Sequence, residues 1–453
     1  MNGDVGRRVH FVGIGGIGMS ALARLLLQRG HLVSGSDLSP GEQGRDLAGM
    51  GATVFTGHSA ENVDHADLVV ISAAVRDDNP EVVAARAAGL PLVKRSELLA
   101  RVMNDARGLA VAGTHGKTTT SALLGWILVQ AGFDPTVLIG GVSKNLGSNA
   151  RVGRKDIVVA EADEYDGSFL RLRPAIAVIT NAEPEHLDFY GTAECMYSAF
   201  RSFAQSATEA VIACADDPAV LEIVRDLSVP VITYGVQRGD MQAYNIAEES
   251  ARLAFAVRLD GADHGFVTHL AGLHNVQNCL AAIACARQVG VEAAEIERGL
   301  ESFDGVGRRF DVRGERAGVL VIDDYAHHPT EIRAVLAALK QRLRRPIRVI
   351  FQPHTYSRTA AFLGDFAQAF GDADTVYLLD VYAAREADTL GVSGATLAAA
   401  LERHHADVRY VLTADAALSD AAVKTQPGDV LVTMGAGDVS ALGPRLLEAL
   451  AHQ

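Results

Sequence analysis

The chain is poor in several things: its 453 residues include four cysteines, one tryptophan and 6% aromatic residues. Cys195, Cys214, Cys279 and Cys285 form no CxxC pair and have no metal-ligand spacing. That excludes a zinc ribbon or a disulfide scaffold and reads as thiols in a reducing compartment. Positive charge is short too. Lys and Arg number 41 against 55 Asp and Glu, a formal net charge of -14. Such a chain is ill suited to gripping a phosphodiester backbone, so no nucleic-acid partner is expected. No apolar run reaches the roughly 18 residues of a membrane span, and the N-terminus enters an apolar strand without a leader pattern. Membrane insertion is therefore not expected, and cytoplasm is the expected compartment.

What is present is an ordinary globular composition, 49% hydrophobic and 21% charged, in a length that suits about three domains. Short apolar strands alternate with turns and helical patterns throughout, the signature of α/β units. The first set is VHFVG, HLVSGSD, ATVF, LVVISAA and PLVK. A second begins at GLAVAG and continues through DIVVAEAD, AIAVITN, EAVIACADD and VPVITYG. Residues 242 to 270 then alternate apolar and polar, as antiparallel hairpins do, before the helical pattern HNVQNCLAAIACARQVG. A third set follows GVGRRFDVRGERAG: VLVIDDY, a helix from Pro329 to about Arg344, then RVIFQPH, TVYLLDV, VRYVL and DVLVTMGAGD. The expected fold is α/β with three domains, 1–105, 106–311 and 312–453. Each is a mostly parallel Rossmann-like sheet flanked by helices, the central one P-loop ATPase-like with a small antiparallel β extension.

Residues 9 to 20, VHFVGIGGIGMS, run from a strand through Gly13, Gly15, Gly16 and Gly18 into a helical pattern, with Asp37 about twenty positions on. Alone, that is a dinucleotide fingerprint: glycines let the backbone approach a diphosphate at a helix N-terminus.

A second phosphate loop is more specific. Gly113, Thr114, His115, Gly116, Lys117, Thr118 and Thr119 lie between the strand LAVAG and the helix TTSALLGWILVQAG. The layout offers free backbone N–H groups, a helix N-terminus and one lysine, with the Thr118 hydroxyl where Mg²⁺ is usually held. The loop is the shorter GTxGKT form, because Val111 stands where the longer P-loop pattern has its first glycine. ATP or GTP is the expected ligand.

Acidic and imidazole groups close the next two strands, in Glu161-Ala-Asp163-Glu164-Tyr-Asp166 and in Thr180-Asn-Ala-Glu183-Pro-Glu185-His186. Among them Glu161 and His186 are the most economical pair to carry a hard cation. Asn275 and Asn278 offer carboxamides three residues apart that could read an adenine edge, although a helix cap would look the same. Arg308 and Arg309 fall in the stretch joining the second and third units, where an arginine could close on phosphates or stand solvated. In Asp323-Asp324-Tyr325-Ala-His327-His328-Pro329-Thr330-Glu331, Pro329 is expected as the first helical residue. The two histidines then precede the helix, His327 and Glu331 do not share a face, and a zinc site of the HExxH kind is not expected.

GIGGIGM, GTHGKTTT, EADEYDGSF, TNAEPEHLDFYG, HNVQN, GRRF and DDYAHHPTE, in this order, resemble the Mur ligase family of cell-wall enzymes over essentially the whole chain. The resemblance is nearest to the branch that joins L-alanine to UDP-N-acetylmuramate. It implies an ATP-dependent amide ligase working through an acyl phosphate, with Mg²⁺, two ions, as metal. It also implies that Lys117 and Thr118 hold phosphates and metal, that Glu161 and His186 carry metal, and that Asn275 and Asn278 face adenine. Arg309 would approach the phosphates, with Asp324 near the ribose or phosphates. Tyr325, His327 and Arg358 would frame the amino acid. The first domain would bind the UDP-sugar through the glycine loop, Ser36, Asp37 and Ser72, with Asn149 also at the substrate, and the third would close over ATP.

Relatives that add later amino acids carry a lysine some fifteen residues after the metal-binding histidine. Here that place is Arg201 and residues 187 to 208 contain no lysine, and the alanine-adding branch generally lacks that lysine. Thr355 replaces an arginine found in some members three residues before Arg358. The remaining alternatives are a ligase that recycles a whole tripeptide onto the same sugar, a nucleotide-binding regulator on the same scaffold and, remotely, an NAD-dependent oxidoreductase. Oligomeric state stays open between monomer and homodimer.

Overall fold

The computed structural model describes residues 6–72, 74–154, 156–249, 251–384 and 386–451. It contains three sheets. The first has five parallel strands in the order Thr53–Thr56, Leu32–Asp37, Arg8–Val12, Leu68–Ile71, Leu92–Lys94. The strand order reverses beside Arg8–Val12, and the glycine loop that follows this strand leads into the helix Ile17–Gln28. Such a reversal is where open parallel sheets bind ligands.

The second sheet has ten strands. At its centre Ile176–Ile179, Arg107–Ala112 and Ile157–Glu161 are adjacent and parallel, so the loops after them gather at one edge. The hairpin region expected as a small extension forms the strands Met241–Glu249, Arg252–Leu259 and Ala262–Thr268. They continue the central sheet at its edge, since Met241 and Gln242 pair in parallel with Tyr234 and Gly235. At the opposite edge Thr136–Ser143 and Ser148–Arg151 add an antiparallel pair that sequence pattern did not reveal.

The third sheet runs Asp311–Arg316, Val319–Asp324, Val430–Met434, Ile347–Phe351, Thr375–Leu378, Val408–Tyr410. All pairs are parallel except the first, so half of the basic stretch expected as a connection is an antiparallel edge strand. Period-two alternation buries both faces. Leu320, Ile322, Val349, Phe351, Val430 and Val432 pack on the helix Pro329–Leu343, while Val319, Val321, Ile350 and Leu431 face Ala417, Ala421, Leu442 and Leu446.

By internal packing the chain divides into two units. One runs to Ile246 and resumes over Ala254–Thr268 and Val276–Gly305; the other comprises Ala247–Leu253, His269–Asn275 and the chain from Val306. The first unit holds the first sheet and all of the second but residues 247–253, and one continuous apolar core runs from Val9 to Val224. No described helix is long and apolar enough to cross a membrane.

Candidate active site

In the first unit the phosphate loop is built by two glycines that nothing else could replace. Gly113 has φ +134° and Gly116 has φ +82°, a left-handed geometry that L side chains pay for. A Cβ on Gly113 would fall 2.0 Å from Thr180 Oγ1, and one on Gly116 would fall 2.4 Å from Asn278 Oδ1. The loop is bolted to the one after the neighbouring strand. Thr114 Oγ1 donates to the Glu183 carbonyl at 2.8 Å, and His115 N donates to Asn181 Oδ1 at 2.8 Å. The Thr180 hydroxyl donates to the His115 carbonyl at 2.6 Å, and His115 Nε2 lies 2.9 Å from Glu183 Oε2. Asn278 accepts from Thr120 Oγ1 at 3.2 Å, which places it against the phosphate-loop helix.

Lys117 starts that helix, Lys117–Gln130. Its ammonium donates to the Gly113 carbonyl at 2.5 Å and to Glu164 Oε2 at 2.8 Å. Burial would depress the lysine, but the negative charge of Glu164, and then of Asp163, holds it above its ordinary value. Glu164, in the acidic stretch after the strand, is thus the counter-ion of the phosphate-loop lysine.

Burial raises the Glu161 carboxyl, while the Gly140 amide, Lys117 and the Thr118 hydroxyl act against that rise. Thr118 and Glu161 are therefore brought together. Glu164, Glu185 and His186 form a separate group whose donor atoms all lie within 4.8 Å of one another, and Glu161 is not one of its three members. His186 stands 3.9 Å from Glu164 and 3.6 Å from Glu185, in a left-handed backbone conformation (φ 56°) unusual for a non-glycine residue. His186 thus stands beside two carboxylates, Glu164 from the acidic loop and Glu185 from its own loop.

Around the first glycine loop, Gly13 N and Ile14 N donate to the Ser36 carbonyl at 2.8 and 3.0 Å, and Gly15 N donates to Asp37 Oδ2 at 3.1 Å. Ser72 Oγ would lie 3.4 Å from a Cβ on Gly13, which puts it at the loop. Two residues expected at the substrate are spent within the protein. Ser36 is fully buried and donates its hydroxyl to Glu81. Asn149, also fully buried, donates to the Ile17 carbonyl at 2.6 Å and to Ser20 Oγ at 2.9 Å, clasping the helix that follows the loop. Arg95, which sequence reasoning missed, does reach the loop. Its guanidinium would meet a Cβ on Gly18 at 3.0 Å and ion-pairs with Asp163 at 3.2 Å, joining the glycine loop to the acidic loop.

In the second unit Tyr325 lies under two guanidinium groups, Arg308 at 4.8 Å and Arg309 at 5.0 Å from the ring centre. Arg308 pairs with Asp323 at 3.3 Å and donates to the Gly435 carbonyl at 2.7 Å, and Arg309 stands 3.6 Å from Glu331. Asp324, expected near ribose or phosphates, is buried. Both its oxygens accept backbone amides, from Phe310 and Ala326, each at 2.7 Å. It shapes the arginine turn instead of reaching outward. Burial pushes its carboxyl up to about 6 against the opposing pull of Arg309.

The histidines precede the helix as expected, His328 capping it by accepting from Thr330 N. Glu331 folds back so that His327 Nδ1 lies 3.4 Å from its carboxylate, although the two residues do not share a helical face. Capping geometry explains it: the third helical residue reaches the backbone before the cap, here His327 N at 3.1 Å. His354 links His327, 6.0 Å away ring to ring, with Arg358, whose Nη1 is 3.2 Å from His354 Nδ1. Thr355 caps the short helix Tyr356–Ala361 that carries Arg358. Asn275 donates to the Ala271 carbonyl at 2.8 Å and neighbours His274, whose ring burial holds down to about 4.

The catalytic-domain profile of the Mur ligase family matches residues 8–107, its middle-domain profile 111–286 and its glutamate ligase domain profile 308–437. The chain is 45% identical to the UDP-N-acetylmuramate--L-alanine ligase of Anaeromyxobacter dehalogenans (strain 2CP-C) over 98% of both chains. It is 43% identical to that of Myxococcus xanthus (strain DK1622), over 98% of this chain and 95% of the relative. The UDP-N-acetylmuramate-alanine ligase MurC structure from Thermotoga maritima superposes with a TM-score of 0.84 at 33% identity, covering 97% of this chain and 98% of that one. The murein peptide ligase from Psychrobacter arcticus gives 0.74 at 27%, covering 99% of each. Profiles, identity and fold agree, and the chain belongs to the Mur ligase family.

Proposed function

We propose that this protein joins L-alanine to the carboxylate of UDP-N-acetylmuramate at the expense of ATP, releasing ADP and phosphate, in the cytoplasm. The observation that carries this is the phosphate loop with Lys117 set among Glu161, Glu164 and His186, in a chain whose curated relatives bear that activity from end to end.

In the first step a substrate carboxylate oxygen attacks the γ-phosphorus of ATP, and ADP leaves, giving an acyl phosphate. In the second the alanine amine attacks the acyl carbon, loses a proton, and phosphate leaves as the amide forms. Both steps gather negative charge, so the protein's work is positioning and neutralisation. The Lys117 ammonium, already poised by two loop carbonyls, turns to phosphate oxygens. Amides at the start of the helix Lys117–Gln130 are assigned to the same group, and Arg309 is assigned to the phosphates as a second cation. Asn275 and Asn278 are assigned to adenine. Tyr325, His327 and Arg358 are assigned to the amino acid, His327 as the group able to take the amine proton. Gly13, Gly15, Gly16, Gly18, Asp37 and Ser72 are assigned to the UDP-sugar. The domains follow: 1–105 for the sugar nucleotide, 106–311 for ATP and 312–453 for the amino acid.

The donors fit a hard divalent cation, being carboxylate oxygens, one threonine hydroxyl and one imidazole. Mg²⁺, as two ions, would be held by Thr118, Glu161 and His186, with Glu164 and Glu185 beside His186. When bound it neutralises charge on phosphate oxygens.

The test is Mg²⁺-dependent phosphate release with ATP, UDP-N-acetylmuramate and a panel of amino acids. L-alanine should be strongly preferred, with glycine or L-serine weaker. A preference for the tripeptide would transfer the assignment to the recycling ligase. Tight NADH binding without ATP turnover would overturn it altogether.

A further inference from the structure

One cluster of titratable side chains in the first sheet has no part in this chemistry. His10 stands in register with Ser34, and Val12 with Ser36, on adjacent parallel strands. These side chains share the face on which Val12, Val63, Val69 and Ala85 are buried. Strand alternation calls for apolar groups there. Instead Glu81, on the helix Pro80–Ala87, enters with no exposure at all. Its Oε2 accepts from Ser36 Oγ at 2.5 Å and lies 3.0 Å from His58 Nδ1. Its Oε1 accepts from Asn62 Nδ2 at 2.6 Å and stands 3.6 Å from His10 Nε2, an ion-pair distance.

Burial by itself would raise this carboxyl, but His10, Ser36 and Asn62 more than reverse that and hold it at about 2. Glu81 is therefore a carboxylate. A buried charge with four polar partners stabilises a fold no better than apolar residues of similar volume, so stability alone does not account for it.

Ser36 is where the cluster meets the glycine loop. Its hydroxyl is fixed by Glu81, and its carbonyl accepts the amides of both Gly13 and Ile14. The next residue, Asp37, accepts the amide of Gly15. One serine thus passes the position of a buried carboxylate to the backbone that faces the ligand.

We infer that Glu81 is a positioning residue for the sugar-nucleotide loop: through Ser36 it fixes the direction of the Gly13–Gly16 backbone and so sets affinity for the UDP moiety without touching it. The inference rests on the UDP-sugar reading above. Loss of the link loosens the loop toward UDP but leaves the ATP loop of the second sheet as it is.

The test is calorimetric titration of the full chain with UDP-N-acetylmuramate, with UDP alone and with ADP, for wild type, Glu81→Gln, Ser36→Ala and Ser36→Thr. Loss of one hydrogen bond to a charged group predicts roughly tenfold weaker binding of both uridine ligands by the first two variants. ADP affinity should be unchanged, and Ser36→Thr should restore binding. If Glu81→Gln does not fold, Ser36→Ala decides, because it deletes only the hydroxyl. Wild-type uridine-ligand affinity in Ser36→Ala, or an equal loss for ADP, overturns the inference. A wild-type protein that binds neither uridine ligand overturns the UDP-sugar reading and the inference with it.

Discussion

Replacing Lys117 with methionine separates its two roles, as partner of Glu164 and as phosphate ligand. The substitution keeps an apolar stem of similar length and removes the charge beside a carboxylate that is 2% exposed. With Lys117 present, burial already pushes the Glu164 carboxyl up to about 7 from a reference of 4.5. Without it the folded carboxyl titrates higher still. A carboxyl raised in the fold binds its proton more tightly there than in the unfolded chain, so stability falls as pH rises from the unfolded value to the folded one. In wild type this fall ends near pH 7; in Lys117→Met it continues. The variant should match wild type in pH dependence below pH 7 and go on losing stability above it, by up to about 1.4 kcal/mol per pH unit, until its Glu164 carboxyl ionises. The one tryptophan, Trp126, sits in the helix Lys117–Gln130 and reports urea unfolding of this element directly. Adding Glu164→Gln removes the titrating group and should flatten the profile. Neither variant should release phosphate at any pH, since neither has the cation. An equal loss of stability at pH 6 and 8.5 would refute the pairing argument, and turnover by the double variant would refute the assigned role of Lys117.

Two further outcomes follow from single positions. Gly116→Ala forces a side chain into φ +82° and against Asn278 Oδ1, so ADP should bind at least tenfold more weakly, about 1.4 kcal/mol. Gly132→Ala is the control, with φ +79° and open space around it; it carries the backbone strain alone and should leave ADP affinity unchanged in the same titration. Acid stability probes Glu81. Its folded value of about 2 against a reference of 4.5 contributes roughly 3 kcal/mol that is fully present above pH 4.5 and lost as pH falls toward 2. Urea unfolding between pH 5 and 2.5 should show that loss in wild type and not in Glu81→Gln; parallel curves would contradict it.

How much of this was legible depended on how far apart the cooperating residues lie along the chain. Strand, glycines, Lys117, Thr118 and helix are contiguous from Arg107 to Gln130, so local pattern was enough to find the phosphate loop. The same holds for Pro329 and the histidines before it. The partners of that loop are not contiguous. Glu164 and Glu161 stood in one quoted motif with nothing to rank them, because the choice depends on how the acidic loop folds back toward Lys117. Arg95 lay in no motif, and its role exists only because the glycine loop and the acidic loop meet at its guanidinium. The strand Asp311–Arg316 was hidden by its charged composition and by the register shift between Val312 and Gly314, which break period-two alternation.

Ser36 and Asp324 show a different limit. Both sit at the carboxyl end of a parallel strand, where ligands gather, and both point into the protein. Strand parity carries part of that information: Ser36 is an even number of positions from Ser34, which pairs with the buried His10, so its side chain had to share that interior face. A residue at a sheet's ligand-binding edge can therefore act by holding the backbone that makes contact. Ser36 holds Gly13 and Ile14 through its carbonyl, and Asp324 holds the turn of Arg309 through the Phe310 amide. In both places a buried carboxylate stands behind the loop, Glu81 in one and Asp324 itself in the other. The backbone amides it orients are common to every residue type, which is why no motif of side chains announced them.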